Sequence, residues 1–203
     1  MKPKYKRDDP VIQLPTEERI DRIVSSCKLK HAIEFRLIKE CGLQPVEIYN
    51  LTLRFIDLEK GILYIKTAKG GKSRQIKIRP QTLALLKTYI NKKTLCYSDR
   101  LFSDPDNMSK AFQRARNRTA MRFNDPECYK IRLYDLRHFY GSMLYHKTKD
   151  LLYVKEKMGH RSISSTMRYM HLVDFESEEF IVKVKIKHGF LDSLEYIRRL
   201  IRI

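Results

Sequence analysis

The chain has 203 residues, enough for one well-buried domain with a short appendage. Its 42 lysines and arginines against 24 acidic residues give a net charge of +18, which points to a polyanionic partner and carries no information about fold. No run of about 18 apolar residues is present to cross a membrane, and the opening MKPKYKRDDP lacks the apolar stretch of a secretory signal, so nucleic acid is expected as the polyanion and no membrane partner is expected. The four cysteines, Cys27, Cys41, Cys96 and Cys128, are scattered without a C-x-x-C pair, which predicts reduced thiols in an intracellular, cytoplasmic protein and no metal site.

Residues 1–15, polar, basic and punctuated by Pro3, Pro10 and Pro15, read as a flexible lead or linker. Thr16 is placed to cap a helix that carries Glu17 and Glu18 in its first turn and Ile20, Ile23 and Val24 on its apolar side. A second helix is predicted over 30–41 from Ile33, Phe35, Leu37 and Ile38, with Gly42 as its C-cap. Pro45 starts a third, turning Val46, Ile48, Tyr49 and Leu51 inward.

Two strands are predicted over 62–67 and 74–78, flanking Ala68-Lys69-Gly70-Gly71-Lys72. Ile62, Tyr64, Ile76 and Ile78 alternate as in a half-buried sheet, and the Gly-Gly turn makes a β-hairpin. A helix over 82–93 follows, with Leu83, Leu86, Tyr89 and Ile90 as its stripe, then a short apolar contact at Leu101-Phe102. Ser109 is placed to cap a helix reaching about residue 121 and carrying Arg114, Arg116 and Arg118. Those three arginines spread over a wide arc, which reads as a solvated basic face with some phosphate contact. No internal repeat and no low-complexity tract is visible.

The stretch 131–171, IRLYDLRHFYGSMLYHKTKDLLYVKEKMGHRSISSTMRYMH, holds three features that packing alone does not explain. Asp135 reads as the N-cap of a helix, which puts Arg137 in its first turn, where a cation faces the positive end of the helix dipole unless an anion lies between. Met158-Gly159-His160 reads as a helix end that displays His160 from a turn. Ser162 is placed to cap a short helix carrying Tyr169, nine residues after His160. Singly, each is an ordinary surface turn, loop or half-buried ring; together, arginine, histidine and tyrosine converging on one anion form a phosphoryl-transfer constellation. Beyond the tyrosine, 179–187 alternates apolar residues with lysine as a strand does, and 190–203 has the spacing of an amphipathic helix. The expected organisation is a lead over 1–15, one domain over 16–175 and a strand–helix tail over 176–203 that packs on its own domain or on a neighbour. The expected class is mainly α with a small antiparallel β-sheet (α+β).

Leu136-Arg137-His138, Met158-Gly159-His160 and Tyr169 resemble, in type, order and spacing, the catalytic domain of tyrosine recombinases, the phage and archaeal integrases and Xer-type resolvases. Tyr134 stands where that family's first histidine of H-x-x-R lies, a Y-x-x-R pattern similar to one branch of archaeal integrases. The resemblance implies that Tyr169 is the nucleophile on a phosphodiester of double-stranded DNA, that Arg137 and His160 stabilise the transition state, and that Lys69 protonates the leaving oxygen, with Lys72 its rival. It implies that Tyr134 binds phosphate or packs and that His138 and Glu47 brace the site. In a chain this basic, Lys72, Arg74, Arg114 and Arg118 are expected to contact DNA. It implies no metal or other cofactor, since arginine and lysine supply the charge, and self-association to a tetramer on two DNA sites. It covers about residues 16–172 and leaves out the helical domain that precedes the catalytic part in such enzymes, as an excised domain or a minimal form would.

One position departs from the pattern. The family's first catalytic arginine lies in G-L-R-x-x-E, and here Gly42-Leu43-Gln44-Pro45-Val46-Glu47 puts Gln44 in its place. A charged hydrogen bond contributes about 1.5–3 kcal/mol against roughly 0.5–1.5 for a neutral one. Losing one transition-state donor slows other enzymes by about 10²–10³-fold. Weak or absent cleavage is therefore expected. Gln44 is then an engineered trap, the mark of a degenerate, non-catalytic DNA-binding relative, or a loss made good by another cation such as Arg36 or one from a second copy. A basic RNA-binding protein is the third class considered, and no signature of its common modules is present.

Overall fold

Leu37 and Ile38 are adjacent in sequence and both fully buried, which on a helix requires cover from more than one side. In the computed structural model, which describes residues 14–66, 73–167 and 169, that cover comes from five other helices. The described residues form α1 (Glu17–Ser25), α2 (Leu29–Cys41), α3 (Pro45–Tyr49), β1 (Ile56–Asp57), β2 (Ile62–Ile65), β3 (Arg74–Lys77), α4 (Pro80–Asn91), α5 (Pro105–Phe123), α6 (Leu133–Thr148), α7 (Leu151–Met158) and α8 (Ser164–Met167). The class is mainly helical with one small antiparallel sheet, as the sequence leads one to expect. The chain divides into two units, 1–173 and 174–203. The second unit, with the strand and helix expected there, lies outside the described residues.

α2 is the central helix, packed against α1, α3, α4, α5 and α6. Phe35 meets Phe112 of α5 edge-on at 5.2 Å between centroids, a geometry that suits the ring quadrupoles. Each fully buried Ile, Leu or Phe side chain here contributes about 1.5–3 kcal/mol of transfer free energy. The buried charges of α2 are matched: Glu34 accepts from the Ser103 N–H at 2.8 Å, and Lys39 pairs with Glu17 at 2.9 Å and with Asp21. Gly42 ends α2 at φ +64, and a Cβ there would run into the Tyr140 ring, so glycine is required twice over.

The sheet runs β1-β2-β3, antiparallel throughout, with Leu63 opposite Ile76 and Ile65 opposite Arg74. Its buried face is Leu63 and Ile65 with Ile76 and Ile78, while Tyr64 faces outward. The period-two reading of β3 holds, and that of β2 is one residue out of phase. β2 is apolar at every position, so alternation alone does not choose its face. α4 begins at Pro80, two residues before 82, and two further helix starts move by three residues or more. α5 begins at Pro105 under an Asp104 cap whose side chain accepts from the Asn107 N–H at 2.9 Å, because Asp-Pro supplies a cap and a pre-set first residue earlier than Ser109 does. α6 begins at Leu133, and Asp135 sits in its first turn accepting the Arg132 N–H at 2.7 Å, so Arg137 lies beyond that turn.

Candidate active site

Arg137 is 1% exposed and joins three parts of the fold. One terminal nitrogen donates to the carbonyl of Gly42, just past the end of α2, and the other to the carbonyl of Met158 at 2.7 Å, the last residue of α7. Both carbonyls lie at helix C-termini, where the dipole favours a cation, and both helices end in a left-handed glycine, Gly42 and Gly159. Glu47 adds a carboxylate 3.8 Å away. Burial pushes the Arg137 pKa below its ordinary value, and Glu47 works against that shift. The cation's compensation is thus built into the protein. Because α6 starts at Leu133, ahead of the expected cap at Asp135, Arg137 does not face a helix N-terminus, and its position does not call for an outside anion.

Glu47 organises the neighbouring turn. Pro45 is the first residue of α3, and Glu47, two residues on, accepts the Gln44 N–H at 2.8 Å. Arg74 reaches it from β3 with a two-bond fork at 2.7 and 2.9 Å. Arg74, 6% exposed at its side chain, is held inward by this fork and not turned out to solvent as a DNA contact would be. Arg36 is likewise committed, to Glu40 on its own helix at 3.3 Å.

Tyr169 is 2% exposed and packs on Val154 and Met158, with Tyr140, Leu144 and Tyr145 around it. The His160 ring stacks on it at 6.1 Å between centroids and 15° between planes, and His160 Nδ1 is 2.9 Å from the Thr166 hydroxyl. His138 lies 5.9 Å from the Tyr169 ring and 5.4 Å from that of Tyr134. Tyr134 is 47% exposed and borders a cleft of about 350 Å³ lined also by Pro45, Gln113, Arg116 and Arg132.

The structure therefore brings Arg137, His138, His160, Tyr134, Glu47 and Tyr169 together, with Gln44 capping α3 beside them. Lys69 and Lys72 lie outside the described residues. Arg114 is exposed on α5, and Arg118 donates to the Ser26 carbonyl at 3.3 Å on the α1 side. Arg116 donates to the Ile131 carbonyl at 2.6 Å, so the three arginines do point different ways. Ser162 caps α8 only loosely, its hydroxyl accepting the Ser164 N–H at 3.2 Å, and α8 ends before Tyr169. Sequence reading missed the inward turn of Arg74, although Arg74, Ile76 and Ile78 share a strand face. Among the described residues no group of three His, Cys, Asp or Glu side chains is placed to hold a metal, and no helix is long and apolar enough to cross a membrane.

A guanidinium pinned between helix ends, with an imidazole stacked on a phenol beside it, is equipped to meet an anion and present a hydroxyl to it. The chain belongs to the phage integrase family, whose pattern matches residues 15–176. It is 29% identical over 169 residues to "Probable integrase/recombinase protein MJ0367" of Methanocaldococcus jannaschii, a match covering 79% of this chain and 51% of that protein. It is 26% identical over 181 residues to tyrosine recombinase XerA of Pyrococcus furiosus, covering 87% and 63%. The chain thus spans between half and two-thirds of the length of these relatives. The crystal structure of XerA recombinase shares its fold at a TM-score of 0.70 and 18% identity, covering 90% of this chain and 67% of that one. XerH site-specific recombinase bound to palindromic difH substrate does so at 0.62 and 21%, covering 87% and 53%. The fold is that of a tyrosine-recombinase catalytic domain.

Proposed function

We propose that this chain is the catalytic part of a site-specific DNA recombinase or integrase that breaks and rejoins double-stranded DNA through a 3′-phosphotyrosine intermediate. The observation that carries the reading is the join made by Arg137. One guanidinium grips the turn that leads into Gln44 and the turn that presents His160, and Tyr169 stacks on that same histidine. Two bonds of a guanidinium's five N–H donors are committed to carbonyls, which leaves donors for the non-bridging oxygens of a phosphate. Tyr169 Oη attacks phosphorus, the bond to the 5′ oxygen breaks, and that oxygen takes a proton from Lys69. His160 donates to the phosphate oxygens or accepts the phenol proton. A free phenol has a pKa near ~10, so the attack depends on these cations. Tyr169 is nearly sealed in, and it must swing off α6 to reach a strand.

The net charge of +18 supports a DNA partner. Membership of the integrase family supports action inside the cell, four copies assembled on two sites, and a 176–203 tail that docks within a copy or between copies. Gln44 supports slow cleavage by the chain as it stands, and it favours a second reading, a non-catalytic DNA-binding relative. A nicked suicide duplex tests the choice. Under the first reading the chain forms a covalent DNA adduct that Tyr169→Phe abolishes without weakening salt-sensitive binding. Tight binding with no adduct, in the parent and in Gln44→Arg alike, would leave the second reading.

A further inference from the structure

Arg74 opens β3 on the face that also carries Ile76 and Ile78, and it places both terminal nitrogens on the two oxygens of Glu47. The Glu47 oxygen that takes the Gln44 N–H is also the one 3.8 Å from Arg137 Nη1. Two buried guanidinium groups therefore share one carboxylate, and they share it unequally: Arg74 holds the fork, and Arg137 stays beyond hydrogen-bonding distance. A carboxylate with only Arg137 for company would turn to it and take up the donors that Arg137 has left. Arg74 Nε is buried and has no hydrogen-bond partner among the described residues, so the fork to Glu47 is the contact that fixes this side chain.

We infer that Arg74 is a positioning residue for Arg137: by occupying both oxygens of Glu47 it keeps Arg137 from hydrogen-bonding that carboxylate and leaves its free N–H groups for a phosphate. The fork also ties β3 to the turn at Gln44, so β3 and the Arg137 site share one carboxylate. This inference rests on the proposed strand cleavage for its consequence and on geometry alone for its cause, so each can be tested apart.

The experiment compares the full chain with Arg74→Gln and Arg74→Lys, by crystal structure, by equilibrium DNA binding and by single-turnover adduct formation on a nicked suicide duplex. In Arg74→Gln, Glu47 is expected to close on Arg137 from 3.8 Å to hydrogen-bonding distance. Adduct formation is expected to slow by about ten- to a hundredfold, the range typical when a group that orients a catalytic residue is lost. DNA affinity is expected to stay within about twofold, a split between binding and chemistry that a merely structural role would not produce. Arg74→Lys keeps the charge and loses the fork, so it is expected to lie between, and it carries the test if Arg74→Gln does not fold. An unchanged Glu47–Arg137 distance with an unchanged adduct rate overturns the inference. If no chain forms an adduct even with Gln44→Arg added to each, the proposed cleavage fails, and the distance alone decides the role of Arg74.

Discussion

The ring of Tyr169 lies directly on Gly141: a Cβ at that glycine would stand 2.8 Å from both Cε2 and Cζ. Glycine inside a helix sacrifices roughly 0.5–1 kcal/mol relative to alanine, yet α6 keeps one here because the phenol needs the space. In Gly141→Ala, overpacking of about 1–3 kcal/mol outweighs that helix gain, and the ring is the part free to leave. Tyr169 is therefore expected to become accessible, read as faster nitration by tetranitromethane at the peptide containing it, with a net stability change of no more than about 2 kcal/mol. Continued protection of Tyr169 in the alanine variant would mean that the helix, not the ring, gives way.

Glu47 compensates two arginines whose side chains are each almost wholly buried. Removing one partner of a buried ion pair typically costs about 3–5 kcal/mol, because the remaining charge stays in a poor solvent. Glu47→Ala is expected to lose that much in urea unfolding, more than a surface Glu59→Ala, which should stay within about 0.5 kcal/mol. Equal midpoints for the two variants would show that Arg74 and Arg137 find other partners.

The cysteines make a separate check on the core. Burial pushes the Cys41 thiol up to about 12 and raises those of Cys27 and Cys128, while Cys96 is exposed. Since the thiolate is the reactive form, one fast-labelling site is expected in the native protein, at Cys96, with Cys41 modified only on unfolding. Peptide mapping after brief iodoacetamide treatment reads this directly, and early labelling of Cys41 would contradict the packing of α2.

The glycines that end α2 and α7 were legible because a left-handed cap needs glycine and marks itself in the sequence. The helix stripes were legible for the same kind of local reason. What local pattern does not carry is partnership across the chain. Arg137 finds Gly42 across 95 positions, and Arg74 finds Glu47 across 27. A list of cations therefore sets Arg74 beside Arg114 although one is turned inward and the other outward. Its strand face gave that away: Arg74 shares the parity of Ile76 and Ile78. For β2 no such clue exists, since Ile62, Leu63, Tyr64 and Ile65 are all apolar and only packing selects which pair goes in.

The most direct test is covalent capture on a nicked cognate duplex, with the parent, Gln44→Arg and Tyr169→Phe run side by side. The account predicts an adduct mapped to the peptide holding Tyr169, slow in the parent, faster by roughly tenfold or more in Gln44→Arg, a cautious share of one transition-state donor, and absent in Tyr169→Phe. DNA bound tightly by all three, with no adduct in any, would contradict it.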